Sequence, residues 1–146
     1  MTERDPLNIG LLLYLPYRAM ETRVIDALHA AGAGLTVAQM KIAQRIGPDG
    51  TRLTDLAAQA QVTKQTAGFL VDQLEQQGYV ERRPDPTDAR ARLVRFSTQG
   101  ERMLPIAAAA VAAVEQEWAQ FLGAERMQAL REILTDLRTI TDPWAS

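Results

Sequence analysis

The chain has 146 residues, of which 47% are hydrophobic and 23% are charged, and its formal net charge at pH 7 is -2. This is the size and composition of one ordinary globular domain. The chain contains no cysteine and a single histidine, His29. Disulfides, thiolate nucleophiles, cysteine-ligated zinc and histidine clusters are therefore excluded, and we expect no metal or other cofactor.

An apolar run near the N-terminus spans residues 7–17. It is shorter than the roughly 20 residues that a membrane-spanning helix needs. No small-residue cleavage site follows it, so we do not expect a signal peptide. We expect a cytoplasmic protein that does not contact a membrane.

The first predicted helix begins with Asp5 as its N-cap and Pro6 at its first position, and it ends near Ala31. Pro16 lies inside this helix and predicts a kink. The opening turns are apolar on nearly all sides. Because such a helix must be buried by more than its own domain, we interpret it as part of a subunit interface.

A capping box of Thr36 and Gln39 starts a second helix, which we expect to include Ile46 and to stop at Gly47 and Pro48. Residues 51–53 are predicted to form a short strand. Thr54 is then expected to cap a third helix that ends at Ala60.

The next helix is predicted over residues 64–77, with Thr63 as its cap and Gly78 as its left-handed end. Its apolar residues recur at helical spacing and predict one buried stripe: Ala67, Leu70, Val71 and Leu74. Two strands follow, at residues 79–83 and 93–97. We expect the prolines of the loop between them to prevent further pairing.

Two long helices complete the chain. Ser97 or Thr98 opens the first, which we expect to bend at Pro105 and to end before Gly123. The second starts near Ala124 and carries apolar residues at heptad-like spacing. Residues 141–146 are predicted to be a frayed tail, with docking of Trp144 as the alternative.

Two short helices followed by a basic hairpin are typical of a winged helix-turn-helix, since a major groove admits one helix and a hairpin tip reaches the adjacent minor groove. The predicted fold class is therefore mainly α with a small β-hairpin (α+β). Several residues are expected on or beside the outer face of the helix over residues 64–77: Lys64, Gln65, Thr66, Gly68, Phe69 and Gln73. Gln65 and Thr66 suit base edges or phosphates, Lys64 suits a phosphate, and Phe69 suits a thymine methyl group or a sugar. Gly68 would allow the backbone to approach DNA closely, although an amphipathic helix that merely faces solvent is the alternative for this stretch.

The hairpin concentrates five arginines: Arg82, Arg83, Arg90, Arg92 and Arg95. A purely structural hairpin is not expected to gain from so many, so we interpret them as a DNA-binding feature. Asp88 is expected to hold the Arg90 guanidinium in one orientation for a narrow minor groove. The alternative is an exposed ion pair worth ~0–1 kcal/mol.

At these residues the chain resembles the MarR family of bacterial transcription regulators. The resemblance is carried by LTDLA, by KQTAGFLVDQLEQQGYVERRPDPTDARARLV and by STQGERML, and it is strongest over residues 53–104. Within these strings are the Asp-x-Arg of the wing and the Thr-x-x-Gly at the start of the next helix. The chain departs from commoner members at Gly68 and Phe69, where threonine or arginine is frequent.

The resemblance implies a homodimer that binds a pseudo-palindromic operator in double-stranded DNA, with Arg90 as the minor-groove arginine and Asp88 as its partner. It implies one domain over residues 1–146, with a DNA-binding lobe at 35–98 and dimerisation helices at 5–32 and 98–141. The complete predicted DNA-binding set is Thr63, Lys64, Gln65, Thr66, Gly68, Phe69, Gln73, Arg83, Asp88, Arg90 and Arg92.

The resemblance also implies a repressor that small phenolic or other aromatic ligands release, from a pocket between the lobe and the dimer helices. The candidate ligand residues are Tyr14, Tyr17, Arg18, Met40 and Trp118, with Arg18 as the choice to hold a carboxylate. Each also suits a core or an interface. His29 is interpreted as a capping or surface residue.

Two other functions compete with this interpretation. A winged helix that binds a protein instead of an operator would account for an exposed Phe69 and the acidic composition. An enzyme is not expected, because one histidine and no cysteine leave only carboxylate chemistry, and no isolated carboxylate pair stands out.

Overall fold

The computed structural model describes residues 6–145. Within these residues, six helices and three strands follow one another in the order α1 (Ile9–Ala30), α2 (Val37–Ala43), β1 (Thr51–Arg52), α3 (Leu53–Ala60), α4 (Lys64–Gln76), β2 (Val80–Asp85), β3 (Asp88–Phe96), α5 (Thr98–Leu122) and α6 (Ala124–Thr141). The strands form one antiparallel sheet in the order β1-β3-β2. This confirms the predicted fold class.

The elements divide into two regions, which we call the lobe (α2, α3, α4 and the sheet) and the arm (α1, α5 and α6). The lobe surrounds a core in which the side chains of Ile42, Leu56, Val71 and Leu74 are completely buried. In the arm, α1 packs along α5, and Nη1 and Nη2 of Arg23 donate to the Glu117 carboxylate at 2.8 and 3.0 Å. No helix among residues 6–145 combines the length and the hydropathy needed to cross a bilayer.

Several helix ends differ from the predictions. Asn8 caps α1 by accepting from the Leu11 amide, so Pro6 precedes the helix, and Asp5 lies outside the described residues. α2 stops at Ala43, before the expected Gly47, because turns take over the backbone hydrogen bonds. α3 begins at Leu53 without a side-chain cap, so Thr54 lies inside the helix. The capping box at the start of α2 and the left-handed Gly78 are as predicted.

The hairpin is longer than predicted. Pro84 pairs with Arg92 within the ladder, and the register is irregular only beyond it, before Asp85 pairs with Asp88. Proline is tolerated there because β2 is an edge strand, whose outward side needs no amide donor. The connection is therefore a tight turn at residues 86–87.

The lobe and the arm share the hydrophobic core, and two further contacts join them. Gly100, near the start of α5, lies so close to the Tyr79 carbonyl that a Cβ atom would overlap it, which explains the glycine. At the other end, Asp142 accepts from Arg45 of the lobe at 3.1 Å and from the Trp144 amide at 3.1 Å. The tail is thus held against the lobe, and Ser146 lies outside the described residues.

Candidate nucleic-acid interface

Helix α4 is fixed in the lobe by its cap and its buried stripe. The Thr63 hydroxyl accepts from the Thr66 amide at 3.1 Å. The four residues of the predicted stripe are all buried. The opposite face is consequently turned to solvent, and Lys64, Gln65, Thr66 and Phe69 are exposed there.

Two residues predicted for this outer face contact the protein itself. A Cβ atom on Gly68 would lie 3.7 Å from Leu53 Cδ2, so this position is directed towards α3. Gln73 is half-buried, and its Oε1 accepts from Gln39 Nε2 at 3.1 Å. Both residues lie at the edge of the outer face, because a helix of 3.6 residues per turn brings them beside the buried stripe.

The five arginines of the hairpin do not act alike. Arg82 donates to Asp72 at 2.8 Å and to Glu75 at 2.9 Å, and so fastens β2 to α4. Arg83 and Arg95 both lie beside Glu81, with their Nε atoms 3.1 and 3.7 Å from its Oε1. The expectation that a structural hairpin gains nothing from these arginines is therefore wrong for Arg82, which joins two elements.

Arg90 and Arg92 remain exposed on the hairpin. Within residues 6–145 no carboxylate lies at ion-pair distance from either guanidinium. The two are two residues apart on β3 and so project from the same face of the strand. These are the wing cations whose charge is available to a phosphate backbone.

Asp88 orients Arg90 in a different way from the one predicted. Its Oδ1 accepts from the Arg90 backbone amide at 3.0 Å, while its Oδ2 lies 4.0 Å from Arg52 Nη2. An aspartate readily accepts from the amide two residues on, and this bond fixes the backbone rather than the guanidinium. The Arg90 side chain thus leaves a fixed backbone with its charge unpaired.

The residue that anchors the wing tip, Asp85, was not predicted from the sequence. Asp85 is buried, and it accepts from the amide and the hydroxyl of Thr87 at 2.8 and 2.7 Å. Arg52 of β1 donates to the same carboxylate at 2.9 and 2.7 Å. The Thr87 bonds, followed by Arg52, lower the pKa of Asp85 to about 2. Asp85-Pro86-Thr87 carried a turn signal, but nothing in the sequence pointed to Arg52, 33 residues away.

The predicted ligand residues do not converge on one site. Met40 lines an apolar cavity of about 140 Å³ where the lobe meets the arm. Tyr17 and Trp118 line a separate cleft between α1, α5 and α6. The Arg18 guanidinium lies 5.7 Å from the centre of the Tyr14 ring, and neither residue lines the cavity or the cleft. His29 is exposed, with its Nε2 3.0 Å from the Leu35 carbonyl oxygen, as suits a surface residue that ties down a loop.

Residues 33–91 match the model of the MarR family. No curated protein matches the chain. The apo form of wild-type MarR from E. coli is 23% identical, with a TM-score of 0.71, and the alignment covers 92% of this chain and 98% of that one.

Two other solved structures are similar over most of their length. The transcriptional regulator Tm0710 from Thermotoga maritima is 26% identical, with a TM-score of 0.63, and the alignment covers 90% of this chain and 92% of that one. CouR from Rhodococcus jostii RHA1, bound to p-coumaroyl-CoA, is 25% identical with a TM-score of 0.74, and 95% of each chain is covered.

Proposed function

We propose that the chain is a winged helix-turn-helix regulator of the MarR family, whose model residues 33–91 match, and that it is a homodimeric repressor that binds a pseudo-palindromic DNA operator. We propose further that a small aromatic or phenolic ligand releases it. The match to a family of transcription regulators supports the expectation that the chain is not an enzyme.

DNA binding is proposed because the arginines of the wing region fall into two groups, those that form ion pairs within the protein and those that remain exposed. Arg82 and Arg52 hold the wing in place through Asp72, Glu75 and Asp85, whereas Arg90 and Arg92 are exposed and without a carboxylate partner among residues 6–145. A rigid hairpin that presents two uncompensated guanidinium groups is suited to phosphates and to a narrow minor groove.

The test is a mobility-shift titration with duplexes from the promoter region of the protein's own gene, at about 50 and 200 mM salt. We expect affinity to fall steeply with salt because several phosphates per subunit release counterions. Arg90→Ala should weaken binding by about 1–3 kcal/mol. Arg95→Ala is the matched control, since Arg95 lies on the same strand beside Glu81.

Two results would contradict this proposal. One is an affinity that does not change with salt, and the other is an equal loss in the Arg90 and Arg95 variants.

Dimerisation is proposed from the arm. α6 contains no buried residue, and its apolar side chains include Ile133, Leu134 and Leu137, which are exposed. Such a stripe on a helix needs a second surface. A second copy would place the two α4 helices on half-sites about one helical turn, ~34 Å, apart.

Leu137→Asp should convert the dimer to a monomer in sedimentation experiments, since it buries a charge in the apolar seam. Thr139→Asp, on the opposite face of α6, should leave the dimer intact. A protein that sediments as a monomer without any substitution would refute the dimer.

For the ligand, we propose the cavity between lobe and arm. Its lining is apolar and comes from both regions, including Met40 and Leu74 of the lobe and Met103 and Ala107 of the arm. An apolar cavity of about 150 Å³ is large enough to hold a benzene ring. A ligand there would shift the equilibrium away from the DNA-binding conformer only if it binds the other conformer more tightly.

Phenol and neutral alkylphenols should therefore raise the melting temperature and lower the affinity for the operator. Ala107→Leu, which fills the cavity, should abolish both effects. Ala109→Leu, at an exposed position of the same helix, should preserve them. Equal responses of the two variants would show that the ligand binds elsewhere.

A further inference from the structure

Phe69 is an unusual residue for the outer face of α4. The lobe has three aromatic residues: Tyr79 is buried, Phe96 is half-buried, and 62% of Phe69 is exposed. The buried residues of α4 are the four of the apolar stripe, and Phe69 is not among them. Exposing a phenyl ring forgoes the stabilisation that burial would give, so folding does not account for this residue.

Apart from the exposed Gln65, few hydrogen-bonding groups next to Phe69 are free of contacts within the protein. Gly68 has no side chain, and the Oε1 of Gln73 is occupied by Gln39. The Thr66 hydroxyl accepts from Thr63 within the helix cap. The middle of the outer face therefore presents a ring where a reading helix commonly presents polar groups.

Negative charge next to Phe69 is partly compensated, because two carboxylates share one guanidinium. Asp72, one turn further along α4, is paired with Arg82, and Glu75 is paired with the same guanidinium. A helix with two uncompensated carboxylates would repel the phosphates that flank a groove. The Arg82 guanidinium, which pairs with both carboxylates, reduces this repulsion and so allows α4 to approach DNA at Phe69.

We propose that Phe69 is a specificity-determining residue that packs against the 5-methyl group of one thymine in each operator half-site. The thymine methyl projects into the major groove and is the base feature that an apolar side chain recognises. This inference rests on the proposed operator binding and adds the base pair that the centre of α4 selects.

The experiment replaces thymines of the mapped operator one at a time by deoxyuridine, which removes only the methyl group. At one position per half-site, deoxyuridine should weaken binding by about three- to fivefold, as expected for the loss of one buried methyl group. Deoxyuridine outside the half-sites should have no effect.

Phe69→Ala should bind both duplexes equally and more weakly than the unaltered protein binds the thymine duplex. Phe69→Leu keeps an apolar side chain and should retain part of the sensitivity to the methyl group, which covers the case in which the alanine variant binds too weakly to measure. Unchanged melting temperatures would show that the variants remain folded.

The outcomes separate the two proposals. If no duplex is bound specifically, the proposed function fails, and capture of a protein by Phe69 becomes the better account of its exposure. If the operator is bound but deoxyuridine has no effect at any position, or has the same effect with Phe69→Ala, the inference is wrong while operator binding holds.

Discussion

The lobe and the arm solve the problem of burying apolar surface in different ways. In the lobe, side chains from α2, α3, α4 and the sheet meet in one interior, to which α1 contributes Val24 and Leu28, and Leu74 is fully buried. In the arm, Phe121 is 88% exposed and Ile140 is 82% exposed. The difference shows that the lobe's core is complete within one chain, whereas the apolar surface of the arm remains available for a second one.

The largest expected effect comes from making the same substitution in both regions. Leu74→Ala should lower the free energy of unfolding by about 2–5 kcal/mol, because it removes fully buried atoms and enlarges the apolar cavity that Leu74 lines. Leu137→Ala removes the same atoms from an exposed face of α6. Its effect should depend on protein concentration, since it would act through the proposed dimer.

Chemical denaturation at several protein concentrations measures the free energy of unfolding of each variant and its dependence on concentration. The comparison fails if the cost of Leu137→Ala is as large as that of Leu74→Ala and independent of concentration.

A smaller, local effect is expected when the wing tip is acidified. The pKa of Asp85 is lowered from 3.8 to about 2, chiefly by the Thr87 bonds and then by Arg52. Its stabilising contribution is therefore fully present above pH 3.8 and is lost as the pH falls towards about 2. The amide proton of Thr87 should report this step by NMR.

Asp85→Asn should remove the titration of the Thr87 amide. The titration of the unaltered protein and its loss in this variant should both be independent of protein concentration, because Asp85 contacts Thr87 and Arg52 within the lobe. A midpoint near 3.8 would mean that the contact of Asp85 with Thr87 and Arg52 does not form in solution.

The smallest expected effect is stabilising. Gly68→Ala should raise the free energy of unfolding by about 0.5–1 kcal/mol, because alanine favours the helix and its Cβ would make an ordinary contact with Leu53. Thermal denaturation would detect this gain. If operator affinity is unchanged as well, the predicted close approach of DNA at Gly68 is wrong. A loss of stability would mean that α3 and α4 pack too tightly at this position to admit a Cβ atom 3.7 Å from Leu53 Cδ2.

Local chemistry predicted much of the fold. The Thr63 cap, the buried stripe of α4 and the positive φ angle of Gly78 all follow from residues that are near one another in sequence. The ends of α2 and α3 could not be predicted as well from the sequence, because competing turns and a neighbouring strand decide where a short helix starts and stops. The length of the hairpin was also missed, since the tolerance of Pro84 depends on its position at the sheet edge.

The sequence by itself determined which class of molecule this is: a helix-turn-helix with a basic wing, between two sets of long amphipathic helices. Only the tertiary structure decided which arginines hold the wing together and which remain available. Arg82 and Arg90 are the same residue type in the same hairpin, but one lies beside the carboxylates of α4 and the other does not. Sequence periodicity reports which face of an element is apolar, whereas the pairing of charges depends on distances between elements that only the folded chain brings together.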